Sequence, residues 1–427
     1  MRKILLISAN TETINMPVLP LGLAFVNAAL LAQGFKTEMI SLMGESESNA
    51  LLEKTINEFQ PDVIGMSVRN IDTQDIKNPR FMLDPVKSMI SWCREYSKAP
   101  IIIGGAGYSI FPEAALNYLG ADMGIKGEGE SALPELLRRI SNHQPVTEIP
   151  GLYLPQKGSI KPRQCIRQTA QIHFPLPGIH LPIPDTIKKK DLWIPFQTRR
   201  GCPMNCSYCS TGSIEGRLIR KFPVKPAVET LAAYADAGFN RFFFVDNTFN
   251  LPATHAEALC DGIISENLSI EWRCILYPAN ITDRLVKKMS LSGCVEAALG
   301  FESGSDTILK SFNKRFTTTD IRKTSKMLSA NNIRQMGFLM LGGPGETKQT
   351  VMESLNFAET LKLDSMKLTT GIRIYPDTPL ADLARRQGVI LSNDNLLKPT
   401  FYIRKGLEDW LIETIYSWVK GRPNCFF

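Results

Sequence analysis

The sequence lacks any long apolar stretch. No segment approaches the roughly 18 consecutive apolar residues that a membrane-spanning helix needs. The apolar segment Leu19–Leu31 is interrupted by Asn27 and is predicted to be a buried helix. The apolar run that follows the basic residues at the N-terminus, Ile4–Ile7, is too short for the core of a signal peptide. These absences predict a cytoplasmic protein.

Charge of either sign is modest. The net charge is +7 over 427 residues, charged residues make up 21% and hydrophobic residues 44%. This composition is typical of a globular protein and excludes wholesale disorder. At about 150 residues per domain, the length predicts two or three domains. The mild basic excess suits anionic small molecules as well as nucleic acid. Because no RNA-recognition module is visible, a nucleic-acid partner is not expected.

The nine cysteines do not suggest a disulfide framework, because disulfides are rare in a reducing compartment. Scattered cysteines are most often small buried hydrophobes. Six cysteines are scattered in this way: Cys93, Cys165, Cys260, Cys274, Cys294 and Cys425. The other three, Cys202, Cys206 and Cys209, are crowded together and need another explanation.

Residues 1–141 alternate short apolar strands with helices. This alternation predicts a doubly wound parallel sheet of the Rossmann-like kind, covered by helices on both faces. Ligands of such sheets bind beyond the carboxyl ends of the strands. The informative loops are those that follow strands, at residues 8–21, 67–76, 104–109 and 126–131.

The rest of the chain divides into three segments. Residues 142–191 form a Pro-rich linker, since nine of the 27 prolines lie between Pro145 and Pro195. Residues 192–385 show six strand–helix units, which predict a partial (β/α)6 barrel of the TIM type. Residues 386–427 form a short tail with one predicted helix at Leu407–Lys420. The predicted fold class is therefore α/β throughout.

The strongest motif is Thr198-Arg-Arg-Gly-Cys-Pro-Met-Asn-Cys-Ser-Tyr-Cys209, which follows the first barrel strand. Its C-x3-C-x2-C spacing places three thiolates on one short loop. They can wrap a [4Fe–4S] cluster and leave one iron without a protein ligand, whereas electron-transfer clusters usually have four cysteines. The alternative is zinc, which usually has a fourth Cys or His nearby. The nearest candidates, Cys165 and His180, lie in the irregular linker.

This loop resembles the C-x3-C-x-aromatic-C motif of the radical S-adenosylmethionine (SAM) superfamily. The resemblance implies that Cys202, Cys206 and Cys209 hold the cluster and that Tyr208 packs near the adenine of SAM. It also implies that the open iron binds the amino and carboxylate groups of SAM. One electron from an external donor of the flavodoxin or ferredoxin type would then give a 5′-deoxyadenosyl radical.

The resemblance continues at the ends of the later strands. Glu302 and Ser303 match the position that holds the ribose and amino-acid part of SAM, although a glutamate such as Glu302, taken alone, is more often a solvated or capping carboxylate. Asp246 ends the second strand, where polar residues commonly face the site, and Arg273 matches either a partner of the SAM carboxylate or a structural arginine. The turn near the adenine is expected to comprise Gly343, Pro344 and Gly345.

The N-terminal segment resembles the B12-binding domain that is fused to one large branch of this superfamily. Glycine-rich loops at sheet ends would let a ligand approach the backbone closely. The resemblance implies that cobalamin is held by Leu21, Gly22, Ser67, Arg69, Gly104, Gly105, Gly107, Tyr108, Gly127, Glu128 and Glu130.

None of the four histidines lies in the Asp-x-His-x-x-Gly motif of many cobalamin proteins. Cobalt is therefore expected to lack a histidine ligand. Arg69 is the candidate to face the cobalt and is counted with the three cysteines as catalytic, because a guanidinium can neither deprotonate nor act as a ligand. The alternative is that Arg69 pairs with Asp72 or Asp75.

The resemblance implies a C-methyltransferase of the class B type. One SAM would methylate the cobalamin, and a second would give the radical that removes hydrogen from an unactivated carbon. A radical oxidoreductase, cyclase or rearrangement enzyme and a non-catalytic cobalamin-binding protein remain alternatives. A methylthiotransferase is disfavoured because its extra N-terminal cysteine trio is missing. The expected substrate is a small molecule or a peptide.

The tail offers one further candidate, Cys425. Its thiol either docks at the barrel mouth and touches substrate or is simply a free thiol. Substitution by alanine with unchanged turnover would dismiss the first alternative.

Overall fold

A computed structural model describes residues 2–12, 18–155, 172, 176–178, 181–183 and 189–427. The chain divides into two compact units. The first comprises residues 1–73, 80–192 and 213–216, and the second residues 74–79, 193–212 and 217–427. Cys165 and His180 lie outside the described residues. Among the helices that the structure describes, none is long and apolar enough to cross a membrane.

The first unit is built on a six-stranded sheet with the order β2-β1-β3-β4-β5-β6, in which only β6 is antiparallel to its neighbour. Its strands are β1 Lys3–Ser8, β2 Lys36–Ser41, β3 Val63–Ser67, β4 Ile101–Gly104, β5 Met123–Ile125 and β6 Leu152–Tyr153. Its helices are α1 Leu21–Ala32, α2 Ser48–Phe59, α3 Leu83–Tyr96, α4 Ala106–Ile110, α5 Pro112–Leu119 and α6 Gly129–Ser141.

Both faces of this sheet are covered. Helices α1 and α6 pack on one face, and α2, α3 and α5 on the other. All residues of Ile4–Ile7 are consequently inaccessible to solvent, which explains why β1 is continuously apolar rather than alternating. The order 2-1-3-4-5 is the flavodoxin-like variant of the doubly wound fold, and its direction reverses between β1 and β3. A ligand site is therefore expected beside the carboxyl ends of these two strands.

The second unit contains a seven-stranded parallel sheet with the order β17-β14-β13-β12-β11-β10-β7. The strands of this unit are β7 Ile194–Phe196, β8 Arg199–Arg200, β9 Arg220–Lys221, β10 Arg241–Phe244, β11 Glu271–Leu276, β12 Cys294–Glu302, β13 Arg334–Leu341, β14 Ser365–Thr370, β15 Ile372–Arg373, β16 Phe401–Tyr402 and β17 Cys425–Phe426. All six strands predicted from sequence are present, so the α/β fold class is confirmed.

Helices alternate with these strands. They are α7 Thr211–Ile214, α8 Val224–Asp236, α9 Ala253–Ser265, α10 Asp283–Leu291, α11 Asp306–Ser311, α12 Thr318–Ala330, α13 Lys348–Glu359, α14 Pro379–Arg386 and α15 Glu408–Val419. Helix α13 begins at a capping box, because the Thr347 side chain accepts a hydrogen bond from Thr350 N–H and Thr350 Oγ1 accepts one from Thr347 N–H. Thr347 is the last residue of the segment Gly343-Pro-Gly-Glu-Thr347. It therefore ends the turn after β13 and caps α13.

The C-terminal tail does more than form the predicted helix. After α15 it adds β17 in parallel to the edge strand β14, with Cys425 opposite Met366. Met366 is the second residue of β14, so Cys425 lies near the amino end of that strand. Substrates of such barrels bind at the carboxyl ends of the strands. The tail therefore extends the sheet edge, and of the two alternatives for Cys425 this position favours a free thiol over docking at the barrel mouth.

Candidate active site

The three crowded cysteines lie on the loop after β7 and β8. Cys202 and Cys206 are half-buried, Cys209 is exposed, and none of the three forms a disulfide. Within the described residues, no three or more Cys, His, Asp or Glu side chains lie close enough to share one metal ion. A [4Fe–4S] cluster binds each thiolate through a different iron, and three thiolates leave one iron without a protein ligand. The loop supplies this number of thiols.

The backbone of this loop is anchored from two sides. Ser207 N–H donates to the carbonyl of Phe312 at 3.0 Å, and the Ser207 carbonyl accepts from Leu380 N–H at 2.9 Å. Asn313 Nδ2 donates to the Asn205 carbonyl at 2.6 Å. The end of α11 and the start of α14 therefore fix the loop between its first and last cysteines.

Asp246 holds the start of the loop instead of facing a cofactor, which corrects the expectation from sequence. Its carboxylate is inaccessible to solvent. Oδ1 accepts from Thr198 N–H at 2.8 Å and from Arg199 N–H at 3.0 Å, while Oδ2 accepts from Thr198 Oγ1 at 2.6 Å. Arg199 Nε lies 3.6 Å from Oδ2 as a buried ion pair. Asp246 is therefore a positioning residue for the cysteine loop.

Ser303 is also turned away from solvent, contrary to expectation. It is fully buried, its Oγ lies 3.0 Å from Ser354 Oγ, and it accepts from Ser305 N–H at 3.1 Å. Ser354 Oγ also accepts from Gly304 N–H at 3.0 Å. A Cβ on Gly304 would lie 2.4 Å from Phe357 Cβ. Residues 302–305 are thus hydrogen-bonded to α13 and packed against it, and Ser303 supports this segment from its buried side.

Glu302 stands at the centre of a small buried polar cluster. Its backbone is in the left-handed region, at φ 63°, beside a register shift between β12 and β13. Its Oε1 lies 3.4 Å from Lys314 Nζ. The Lys314 ammonium lies 5.3 Å from the centroid of the ring of Tyr208, which stands between Cys206 and Cys209 on the loop. Burial raises the pKa of Cys206, and the charge of Lys314 opposes that shift.

Sequence reasoning missed Lys314. A lysine in a connection between two helices is usually solvated. Only the fold brings Lys314 beside Tyr208 of the cysteine loop and Glu302 at the end of β12. Its proximity to the Glu302 segment along the chain was the available signal.

The turn after β13 is stabilised by Glu346, which is 1% exposed. Its Oε2 accepts hydrogen bonds from Gly343 N–H at 2.7 Å and from Gly342 N–H. Burial raises the pKa of this carboxyl to about 7, although the two N–H donors oppose the shift. Glu346 therefore shapes the turn after β13.

The expected adenine-side residues lie on that turn. A Cβ on Gly343 would lie 2.4 Å from Phe312 Cε1, so the ring of Phe312 requires glycine there. Ser311 Oγ donates to the carbonyl of Pro344 at 2.8 Å. Gly345 has φ 85°, a conformation that favours glycine. The turn is thus packed against the end of α11, where Phe312 also meets Tyr208 edge-to-face at 5.6 Å.

The raised pKa of Glu346 predicts a pH-dependent stability. The native state binds the proton of the Glu346 carboxyl more tightly than the unfolded state does. The stabilisation that results is complete below about pH 4.5 and is lost as the pH rises through about 7. Relative to Glu346→Gln, the free energy of unfolding should fall by about 2.5 kcal/mol between pH 5 and pH 8. Denaturant titrations at both pH values measure this, and parallel pH profiles for the two proteins would refute it.

Arg273 lies away from the carboxyl ends of the strands. It is paired in register with Glu296, and their side chains are 3.8 Å apart. Its guanidinium also lies 4.4 Å from the Trp193 ring centroid and 5.0 Å from that of Phe243. Trp193 precedes β7, so this cluster sits at the amino end of the sheet. The structural alternative for Arg273 is therefore the one that the geometry supports, and the SAM carboxylate is not its partner.

In the first unit, the candidate cobalamin residues gather at the carboxyl ends of the strands. Ser67 ends β3 and is in register with Ser8 of β1 and Gly104 of β4. Leu21 and Gly22 begin α1, which follows β1. Gly22 is exposed and has nothing within 4 Å of where a Cβ would lie. Its missing side chain leaves room for a ligand.

Glycine is needed at two other positions, Gly105 and Gly107, for a different reason. A Cβ on Gly105, at φ 103°, would lie 2.6 Å from the Val68 carbonyl oxygen, and one on Gly107 would lie 2.9 Å from that of Arg69. The Val68 carbonyl accepts from Gly107 N–H at 3.0 Å. These glycines let the loops after β3 and β4 pack against each other, whereas the sequence suggested close approach of a ligand.

The remaining residues of this set divide into buried and loop positions. Tyr108 is fully buried, and its hydroxyl occupies the space where a Cβ on Gly124 would lie, so it belongs to the core and corrects the expectation of a cofactor contact. Ser109 Oγ donates to the Gly105 carbonyl at 2.8 Å and accepts from Gly127 N–H at 2.9 Å. The loops after β4 and β5 are thereby joined. Two acidic residues follow at the start of α6, Glu128 at its N-cap and the buried Glu130 in its first turn.

These geometries predict opposite outcomes for two glycine substitutions. Gly105→Ala should destabilise the first unit by more than about 1 kcal/mol, because the conformation is left-handed and the Cβ meets a backbone carbonyl. Gly22→Ala, the matched control, should leave stability unchanged or slightly higher, because it adds a good helix former in open space. Denaturant unfolding would measure both, and equal stability of the two variants would contradict the packing described.

Arg69 lies on the loop after β3 and is exposed. Its Nη1 donates to Asn70 Oδ1 at 3.2 Å, so this bond goes neither to Asp72 nor to Asp75. Asn70 is neutral, so this hydrogen bond does not compensate the positive charge of Arg69. A role for Arg69 beside cobalt stays a prediction.

The comparisons with known proteins agree with this architecture. The family model of the radical SAM superfamily matches residues 197–358, and that of the B12 binding domain matches residues 7–137. An uncharacterized methyltransferase of Pyrococcus horikoshii is 27% identical over 91% of this chain and 84% of its own. The tryptophan 2-C-methyltransferase of Streptomyces laurentii is 21% identical over 87% of this chain and 73% of its own.

A solved structure shares the fold. It is the radical SAM methyltransferase TsrM from Kitasatospora setae, with cobalamin and a [4Fe–4S] cluster bound. The TM-score is 0.88 with 19% sequence identity, and the match covers 100% of this chain and 91% of that one.

The loop of three thiols and the sheet around it define an iron–sulfur enzyme that acts with SAM. Residues 197–358 therefore form a radical SAM domain, and residues 7–137, which precede them, form a B12-binding domain. The cofactors predicted from sequence, a [4Fe–4S] cluster, SAM and cobalamin, are confirmed at the level of these two domains.

Proposed function

We propose that the chain is a C-methyltransferase that places a cobalamin-derived methyl group on an unactivated carbon. The observation that carries the proposal is the loop of three cysteines outside any disulfide, in a chain that also has a B12-binding domain. When bound, the cluster supplies the electron for cleavage of SAM, and cobalamin supplies the methyl group. The relative from Streptomyces laurentii, which is named for methylation of a carbon of tryptophan, supports the same reaction type.

The residues of the chain have separate tasks in this reaction. Cys202, Cys206 and Cys209 would bind three irons and leave the fourth to SAM. Asp246 fixes the start of their loop through three hydrogen bonds. The turn at Gly343–Gly345, shaped by Glu346, would receive the adenine. These contacts hold the groups in place before reaction, which is how a protein contributes to cofactor chemistry.

Arg69 has a different task in this proposal. It would face the cobalt without binding it, since a guanidinium has no lone pair to donate. A cobalt without a protein ligand is a better methyl donor.

The proposal extends to partners and compartment. The electron would come from a donor of the flavodoxin or ferredoxin type, and the substrate would be a small molecule or a peptide. Free thiols persist in a reducing compartment, so the enzyme would act in the cytoplasm.

Product analysis tests the proposal without knowledge of the substrate. The reconstituted protein is incubated anaerobically with SAM, a strong reductant and hydroxocobalamin, and the nucleoside products are separated by mass. We expect 5′-deoxyadenosine, together with S-adenosylhomocysteine that forms only when cobalamin is present. Formation of 5′-deoxyadenosine alone would contradict methyl transfer and favour a radical oxidoreductase, cyclase or rearrangement enzyme. Formation of neither would favour a non-catalytic cobalamin-binding protein.

A further inference from the structure

Lys314 is a buried cation beside the cysteine loop. It lies in the connection between α11 and α12, and its side chain is only 7% exposed. An ammonium group taken out of water is costly unless it is paired and hydrogen-bonded. Glu302 supplies one partner, with Oε1 at 3.4 Å from Nζ. On another side, Nζ lies 5.3 Å from the ring centroid of Tyr208, which stands between Cys206 and Cys209 on the loop.

The surrounding backbone is arranged to bring these groups together. Glu302 adopts a left-handed conformation that non-glycine residues rarely take, at the register shift between β12 and β13. A Cβ on Gly300 would lie 3.3 Å from Glu302 Oε1, so the absence of a side chain there leaves room for the carboxylate. Strain of this kind persists where the surrounding structure requires it, and functional sites are where it concentrates.

We propose that Lys314 tunes the cluster: its buried positive charge beside the cysteine loop raises the reduction potential, while Glu302 holds the ammonium in place. The proposal rests on the assignment of Cys206 as a cluster ligand. The potential of an iron–sulfur cluster is set by its net charge, its solvent exposure and the hydrogen bonds to its sulfurs. One electron from a flavodoxin- or ferredoxin-type donor adds one negative charge to the cluster and changes no bond. A buried positive charge beside it stabilises that added charge strongly, because screening by water is weak.

The local charges are consistent with this role. The carboxylate of Glu302 balances Lys314 in the oxidised state, so the ammonium can stay buried whether or not the cluster is reduced. Lys314 thus acts on the cluster through its charge and not as a ligand. Its effect should be visible in the cluster itself, in the absence of SAM and substrate.

The test is a redox titration of the reconstituted full-length protein, monitored by electron paramagnetic resonance without SAM. Lys314→Met should shift the midpoint potential to a more negative value at unchanged iron content. Lys314→Arg, which keeps the charge, should stay near the parent. Lys310→Met is the matched control: Lys310 is an exposed lysine of α11, where water screens the charge, and its removal should leave the potential unchanged.

Several outcomes separate the hypotheses. An unchanged potential in a fully loaded Lys314→Met protein overturns the tuning role. If that variant does not retain a cluster, Lys314→Gln, which keeps a polar side chain without the charge, should load and show a comparable negative shift. Loss of the cluster in both would make Lys314 a folding residue and overturn the proposal. Absence of a cluster in the parent protein would instead overturn the proposed function.

Discussion

Replacing Cys202, Cys206 and Cys209 together by alanine is expected to abolish iron binding and the cleavage of SAM. The variant should give no 5′-deoxyadenosine above the protein-free background, because the loop then offers no thiol and the carboxylate of Asp246 at its start is engaged in hydrogen bonds. The measurement is iron content and nucleoside yield after anaerobic reconstitution.

The matched control is a second triple variant, Cys260→Ala, Cys274→Ala and Cys294→Ala. These three cysteines are buried away from solvent, and burial raises the pKa of Cys260 to about 12 and that of Cys274 well above its usual value. Such thiols are poor metal ligands, since the thiolate is the ligand. The control should bind iron as the parent does. Cleavage of SAM that survives loss of the loop cysteines would contradict the assignment.

Asp246→Ala is expected to lower the free energy of unfolding of the second unit by roughly 3–5 kcal/mol. The change removes three hydrogen bonds and leaves the guanidinium of Arg199 buried without its counter-charge. Asp246→Asn should cost less, because its amide oxygen can still accept from the Thr198 and Arg199 N–H groups. Denaturant unfolding of the metal-free proteins gives the differences.

A double variant isolates the charge effect. Asp246→Ala combined with Arg199→Met should recover much of the loss, because no unpaired charge then remains buried. If the double variant is less stable than Asp246→Ala alone, the ion pair is not what makes Asp246 important. Reconstituted iron content should fall with Asp246→Ala, since the start of the cysteine loop is no longer fixed.

The strands and their order along the chain could be predicted from sequence, because a local pattern of residues produces them. Parallel strands covered on both faces must be apolar along their whole length, as in Ile4–Ile7, and the helices between them end at residues such as Gly34. The short strand β17 was not accessible. It has two residues, and it exists because an edge of β14 is open far away in the chain. A local pattern cannot report such a pairing.

The cofactor motifs were found, but the direction of individual side chains was not. Asp246 follows a strand as the motif requires, yet its carboxylate points to the backbone of residues 198 and 199. Ser303 turns to Ser354, and Gly105 packs on the loop after β3. Each orientation depends on a partner more than 35 residues away. Sequence position fixes the end of the sheet on which a residue lies, and tertiary packing decides whether it faces the cofactor.

Lys314 shows the converse case. Its neighbours in sequence are exposed, and nothing in its local pattern distinguishes it from a solvated lysine. Its burial arises because the connection after α11 closes over Tyr208 and Glu302. Buried charges of this kind depend on the assembled fold and are the residues that sequence reasoning is least able to find.

The most direct measurement is the metal and sulfide content of the anaerobically reconstituted parent protein, read together with its electron paramagnetic resonance spectrum after reduction with and without SAM. The account predicts about four iron and four sulfide ions per chain and a spectrum that changes when SAM binds the open iron. Stoichiometric zinc without sulfide, or a reduced cluster whose spectrum SAM leaves unaltered, would contradict it.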